Sequence, residues 1–582
     1  MTLWINALQL CRRALRFLDG AHWLESAFSF EAAQAFACKI CIRNLKRCQA
    51  TALQIAVVAC LAGCARQEQR ADVVIANGAE PESLDPAVLT GQPDGRPAAA
   101  MFEGLTRLNP VDSTSEPGLA ERWEISEDGR TYVFHLRTNA MWSTGEPITA
   151  DDFVFSWRRV VDPATACDYS GLLFYVVNGE EIATAKIKDL TKLGVRALGT
   201  RTLEVKLVSP TAFFLDLCAF RTMAVVPRKT IEKYGDRWIM AKPLPVSGSH
   251  LLESWRIRDK IRLRRNPLYW DAANAQNEIV DILPIDTAMA ALNLYQTRQV
   301  DVIWDKSLVP NELMDVLTNR ADCHRFDNLG TYFVRFNVRR KPFDDVRVRK
   351  ALSLVINKRR IIDRILRGQE RIARSMTPPG TANYDPPEGL GYDPALARKF
   401  LAEAGYPDGK GFPPFEYFFN SLKMHEQIGV ELQEMWKKEL GITMTLRQTE
   451  WKVYLAMQSA LEYDTTRSSW IGDYNDPNTF LDMFMSNNGN NRTGWRNERY
   501  DRLMKEANSL LNKEQRAAKL REAETLLVRD EVPILPIFFY QSIHFWRREE
   551  IRGIHYNILD EHPLHAIGKN KSSKLQVPNS KS

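Results

Sequence analysis

The sequence predicts an α/β fold, and three observations carry that prediction. From Asp72 onward, short β-rich segments alternate with helical periodicity over several hundred residues, the pattern of sheets covered by helices. The length of 582 residues exceeds what one hydrophobic core sustains, so two or three domains are expected. A late apolar strand over 534–540 follows a run of helical segments, which places it back in an earlier sheet instead of a new one.

The elements follow in chain order. Residues 73–76 read as a short apolar strand, followed by Gly78 and a turn at Leu84, Asp85 and Pro86. Residues 131–137 and 203–207 alternate apolar and polar side chains, as half-buried strands do. Thr149 and Asp152 have the spacing of a capping box and open a helix over 153–161. Asp345 leads a helix over 346–356 whose stripe is Val348, Leu352 and Val355, and Asp393-Pro394 starts another over 395–404 that stops at Gly405. The same pattern recurs over 426–440 and 501–511, and no internal repeat is visible.

Charge and cysteine content exclude several classes. The 78 basic and 72 acidic residues give a net charge of +6 without long single-sign blocks, so no nucleic-acid partner is implied. Six of the nine cysteines fall in the first 64 residues, and Cys167, Cys218 and Cys323 are scattered through the rest, which is not a disulfide scaffold. Cys38 and Cys41 have the C-x-x-C spacing but lack a second pair, and we read them as incidental.

Residues 45–63 read as an export signal, with Lys46 and Arg47 ahead of an apolar run over 52–62 that is too short to span a membrane. The run ends in Leu61-Ala-Gly-Cys64, which resembles a lipoprotein processing site and makes Cys64 the expected lipidated residue. Residues 1–44 fit no part of such a signal and are read as an over-extended start, and 569–582 as a polar tail.

No catalytic set emerges. His425-Glu426 lacks the second histidine of H-E-x-x-H, and neither G-x-S-x-G nor a phosphate loop occurs. His562 and His565, beside Asp560 and Glu561, read as a terminal cluster, so neither a metal nor a cofactor is expected. The informative segment is 467–477, where Asp473 sits near Arg467 and Trp470. A carboxylate and a guanidinium flanking an indole can hold an extended molecule with an ammonium at one end and a carboxylate at the other. Asp473 can equally cap the turn at Asn475-Asp476-Pro477 while Arg467 pairs on a surface. Tyr169, Trp451, Trp470 and Tyr474 stand among charged or turn residues, where rings commonly line a groove.

From about Val73 onward the chain resembles the oligopeptide-type solute-binding proteins of bacterial ABC importers. The resemblance rests on ordered blocks: Glu82-Ser-Leu-Asp-Pro86, Phe102-Glu-Gly-Leu105, Gly118-Leu-Ala-Glu-Arg-Trp-Glu124, the segment from Trp142 to Phe153, Pro342-Phe-Asp-Asp-Val-Arg-Val-Arg349 and Leu401-Ala-Glu-Ala-Gly405. The segment Asp473-Tyr-Asn-Asp-Pro477 points to the oligopeptide and murein-tripeptide branch.

What the resemblance implies is a two-lobed periplasmic-binding-protein fold with an added third domain and a ligand cleft between lobes. Domain I would comprise 72–102, 228–328 and 541–568, domain II 103–227 and domain III 329–540. The expected ligand is an oligopeptide and the expected partner a transmembrane ABC permease, with the protein a lipid-anchored monomer and no enzyme; an unrecognised peptidase is the rival from another class. By position, Asp473 would pair with the ligand α-ammonium and the backbone near Trp470 and Ile471 with the extended peptide. Tyr169, Trp451 and Trp470 would line pockets, and Arg467 and His425 would approach the C-terminal carboxylate. Departures are also expected to matter. Gln458 replaces a family arginine, Ser469 a glycine, and Gln92, in an N-terminal strand, an apolar residue. Ile471 and Gly330 stand where enteric members join two cysteines, so packing must hold that place here.

Overall fold

The computed structural model describes residues 68–570, apart from residues 90, 368, 369 and 383 and the side chains of Asn311, Trp451 and Lys452. The expected export segment, Cys64, the Cys38 and Cys41 pair and residues 571–582 lie outside the described residues. Among the described residues no helix is long and apolar enough to cross a membrane.

An 11-stranded mixed sheet runs through most of the chain. Along its main path the strands are Met444–Thr449, Phe415–Asn420, Thr465–Ile471, Cys323–Phe336, Ile534–Trp546, Val302–Ile303, Val73–Ala76, Ile279–Leu283, Lys260–Arg265 and His250–Arg256. The late apolar strand therefore does return to an earlier sheet, where it lies between Cys323–Phe336 and Val302–Ile303. Both long strands are buried along most of their length because cores cover both faces, which is why Ile534–Trp546 reads as an apolar run without alternation.

A separate four-stranded antiparallel sheet, ordered Ala120–Ile125, Thr131–Leu136, Thr202–Lys206 and Val195–Gly199, forms the second unit of strands. Its alternation is the signature legible in the sequence: Tyr132, Phe134 and Leu136 point into a core with Leu203 and Val205. The helix Ala150–Val161 packs there through Phe153 and Trp157, and its start is fixed by Thr149, whose N–H and Oγ1 both donate to the Asp152 carboxylate at 2.8 Å.

The remaining predicted helices are present with ends moved by up to three residues, as Val346–Leu354, Pro394–Glu403, Lys423–Leu440 and Glu498–Asn508. Lys423–Leu440 stops at Gly441, which adopts the left-handed conformation at φ 69° that ends a helix without a Cβ clash. Gln92 corrects an expectation: it opens the helix Gln92–Met101 instead of lying in a strand, and Pro93 in the first turn explains why a helix starts there.

Separate apolar cores follow the segments. Leu105, Phe134, Trp157 and Phe214 form one; Val73, Met101, Trp238 and Leu263 another; Tyr332, Leu352, Tyr417 and Trp436 a third; Phe333, Phe480, Tyr500 and Leu520 a fourth. The two long strands link these regions. Their pairing shifts register between Asp327↔Gln541 and Thr331↔Phe539, a local irregularity halfway along the crossing.

Candidate functional site

The strand Thr465–Ile471 pairs antiparallel with Cys323–Phe336 from Phe336↔Thr465 to Gly330↔Ile471. The chain then leaves the sheet, with Gly472 N–H donating to the Leu329 carbonyl at 2.7 Å, and turns at Asp473. The turn is held by Asp476, whose Oδ1 accepts from Asn478 N–H at 2.9 Å and whose two oxygens take a buried bidentate pair from Arg516 at 2.7 and 2.8 Å. The capping role open to Asp473 in the sequence thus belongs to Asp476. Asp473 uses its backbone N–H on Thr479 Oγ1 at 3.3 Å, and its side chain is left over.

That side chain lines a cavity of about 460 Å³. The cavity is bounded by Gln92 and Arg96, by Glu103 and Arg107, by Tyr169 with Phe220 and Arg221, by Trp304 to Lys306, by Asn328, by Ile471 to Asp473, and by two stretches of the C-terminal region, 540–542 and 559–565. Its volume lies in the range of small-ligand sites. Four basic and five acidic side chains line it, close to electrical balance.

Most of that charge is already matched within the protein. Arg96 lies 3.6 Å from Asp305, Arg107 2.8 Å from Asp271, Arg221 3.2 Å from Glu561, and Lys306 pairs with Glu370. Glu103 accepts from Trp270 Nε1 at 2.6 Å and from Tyr269, and Asp560 from two imidazoles. Asp473 differs: no described residue donates a hydrogen bond or ion pair to its carboxylate. Burial pushes its pKa up to about 6, with the charge of Arg221 acting in the opposite direction. Tyr169, whose ring lies 5.1 Å from that of Phe220, has its phenol pKa raised by burial and next by the neighbouring Asp473 charge.

The expected site residues fall into two groups. Asp473, Tyr169, Ile471 and Gln92 line the cavity, Ile471 being 45% exposed and Gln92 accepting from Arg96 Nη2 at 3.2 Å. Arg467, Ser469 and His425 form a shelf beside it. Arg467 donates to Ser469 Oγ at 3.2 Å, lies 5.5 Å over the Tyr332 ring and keeps a buried Nε–H without a partner. His425 is buried with Nδ1 3.3 Å from the Tyr332 hydroxyl, and burial, then the Arg467 charge, drops its pKa to about 3. Tyr540 connects shelf and cavity, since it lines the cavity and interacts with Ser469 and Arg467.

Two expected residues face elsewhere. Gln458 is buried and donates to the Tyr454 hydroxyl at 2.6 Å and to the Arg467 carbonyl at 2.9 Å, so its amide braces the strand. Trp470 packs against the Phe333 and Phe480 core, with Nε1 donating to Thr479 Oγ1 at 3.4 Å. Trp451 begins the helix Trp451–Ser459, its side chain outside the described set. Ile471 and Gly330 are register partners, and a Cβ on Gly330 would lie 2.4 Å from Ile471 Cδ1, so the isoleucine occupies the place that a second side chain would need.

Arg221, Trp304, Asn328 and Tyr540 line the cavity without any sequence signal having marked them. They come from four distant segments, and only the crossing of the long strands brings those segments together.

Comparison with known proteins agrees with this architecture. The profile of the bacterial extracellular solute-binding proteins, family 5 Middle, matches residues 114–492. The periplasmic oligopeptide-binding protein OppA of Salmonella typhimurium is 34% identical over 482 residues, covering 80% of this chain and 86% of its own length. The probable deoxycholate-binding periplasmic protein YgiS of Escherichia coli is 33% identical over 476 residues, covering 80% and 88%. The solved structure of the Escherichia coli murein tripeptide binding protein MppA superposes with a TM-score of 0.73 at 30% identity, covering 86% of this chain and 99% of that one. The chain belongs to the bacterial extracellular solute-binding proteins of family 5.

Proposed function

We propose that this protein is an extracytoplasmic receptor that captures oligopeptides by their termini and backbone and delivers them to an ABC permease. The observation that carries the reading is Asp473, the acidic side chain of the cavity wall that has no hydrogen-bond donor or ion pair among the described residues and is opposed only by the charge of Arg221, itself paired with Glu561. A half-buried carboxylate in that condition is costly, and a ligand ammonium relieves the cost while gaining a charge-assisted hydrogen bond in a site that closure would make low-dielectric. Exposed Ile471 and the end of its strand offer an extended peptide a place to add alongside, a mode in which backbone bonds give affinity without reading sequence. Arg467, with its unpartnered Nε–H, is the group on the neighbouring shelf suited to a carboxylate.

Domain I over 72–102, 228–328 and 541–568 and domain II over 103–227 would close against domain III over 329–540, bending where the long strands change register. Cys64 would tether a monomeric protein to the membrane through lipid, and neither a cofactor nor catalysis is part of the reading.

A murein peptide is the alternative ligand within this chemistry, consistent with the MppA likeness. A steroid acid, suggested by the YgiS likeness, fits less well, because the cavity cations are matched by protein acids and the unmatched group is an anion. Calorimetry with matched peptides bearing free or acetylated N-termini tests the reading. Free peptides should bind with micromolar affinity, about −8 kcal/mol, and acetylated ones at least 100-fold more weakly; equal binding of both sets would refute the Asp473 role. Mass spectrometry of a peptide pool after incubation separates receptor from peptidase, as a receptor returns intact peptides.

A further inference from the structure

A second polar constellation lies in the cavity wall, outside the roles assigned above. His544, on Ile534–Trp546, and Asp560 and His562, on the loop that follows, are each at most 7% exposed, and Asp560 and His562 line the cavity. The Nε2 atoms of both imidazoles approach the same carboxylate oxygen, Asp560 Oδ1, at 2.8 and 3.0 Å, and the three atoms all lie within 4.8 Å of one another. The two rings are near perpendicular, at 86° with centroids 5.9 Å apart, so their nitrogens converge from different directions. Among the described residues no lysine or arginine pairs with Asp560.

We propose that His544, Asp560 and His562 form a binding site for a divalent transition-metal cation of zinc type, with its open coordination position facing the cavity. Two imidazole nitrogens and one carboxylate oxygen match the three-ligand sets that hold such ions, whereas Mg²⁺ and Ca²⁺ prefer oxygen cages. The N···O separations need to widen by only a few tenths of an ångström to accept metal–ligand bonds of about 2.0–2.1 Å.

The test is titration of chelator-treated, peptide-free protein with Zn²⁺ against a competing indicator, and with Co²⁺ by visible absorption. It is independent of peptide binding, so failure here leaves the receptor reading standing. The expected result is one equivalent bound, with a Co²⁺ spectrum of low coordination number. His544→Ala, His562→Ala and Asp560→Asn should each weaken Zn²⁺ by more than about 100-fold, beyond the loss typical of outer-shell changes. The surface variant His135→Ala should bind as the parent does. The circular dichroism of each variant without metal separates loss of a ligand from loss of fold, and Asp560→Asn, which keeps the side-chain shape, serves if the histidine variants unfold. Absence of stoichiometric binding in the parent, or unchanged affinity in folded Asp560→Asn, overturns the proposal.

Discussion

Tyr474 stacks on Phe213 with ring centroids 4.6 Å apart and planes 10° from parallel, which buries the residue after Asp473 in the core built by the 103–227 segment. Tyr175 donates to Asp482 at 3.1 Å and Arg516 lies 5.6 Å over the Phe213 ring, so the contact is a patch rather than a point. The Asp473 turn is thereby tied to a second region of the protein. Tyr474→Leu keeps apolar volume and removes the stack, worth about 0.5–1.5 kcal/mol. The variant also removes the hydroxyl that accepts from Asn478 at 3.3 Å, so the melting temperature should fall; if closure over ligand uses this patch, peptide affinity of the folded variant should fall about 3- to 10-fold as well, and melting curves and calorimetry check the two halves.

The pKa of about 6 at Asp473 sets a pH dependence whose sign can be worked out. Burial raises it above the unfolded value near 3.9, so the native protein holds the extra proton between those limits. In the free protein this group's ionisation opposes folding: its cost is absent below about 4, grows as pH rises to about 6 and is constant above about 7. Binding an ammonium needs the ionised form. Peptide affinity should therefore be flat above about pH 7 and fall up to tenfold per unit below about 6, while Asp473→Asn should bind at least 100-fold more weakly and without that pH dependence. A parent profile flat from pH 7.5 to 5 would remove Asp473 from the contact.

The strands and helices were largely legible in the sequence because each carries its own period: Tyr132, Phe134 and Leu136 alternate, and Val348 and Leu352 form a helical stripe. Gln92 was misplaced because burial pattern says little over a few polar residues, whereas Pro93 at a first helical turn does. The site was legible only where it is local. Asp473 and Ile471 share a turn, but Trp304, Asn328 and Glu561 reach the cavity through long-range strand pairing, which no local pattern encodes. Trp470 shows the converse limit, since it adjoins Ile471 in sequence yet packs its ring against the Phe333 and Phe480 core.

Gly330 and Ile471 give a packing prediction. Alanine at 330 would set its Cβ 2.4 Å from Ile471 Cδ1 and 3.0 Å from the Tyr540 ring, in a strand where the backbone has little room to move. Gly330→Ala should cost about 1 kcal/mol of stability, the low end of the range for overpacking, because the half-exposed Ile471 tip can rotate aside while the Tyr540 ring must still give. Adding Ile471→Ala should recover much of that loss, a coupling that denaturant titration of the two single variants and the double variant measures directly.

His425 makes the fold acid-sensitive in the opposite direction from Asp473. Its folded pKa of about 3, set by burial and then by Arg467, lies far below the unfolded value near 6.5. The native state therefore keeps it neutral while the unfolded chain takes up a proton, and the stability it contributes is full above about 6.5 and lost as pH falls toward 3. The slope reaches at most about 1.4 kcal/mol per pH unit for one such group. His425→Gln fills similar space with an amide able to meet the Tyr332 hydroxyl but cannot titrate. Denaturant midpoints measured from pH 7 to 4 should fall less steeply in this variant than in the parent. Parallel slopes would mean that His425 is protonated in the native state, which would place a second positive charge beside Arg467 and require an anion between them.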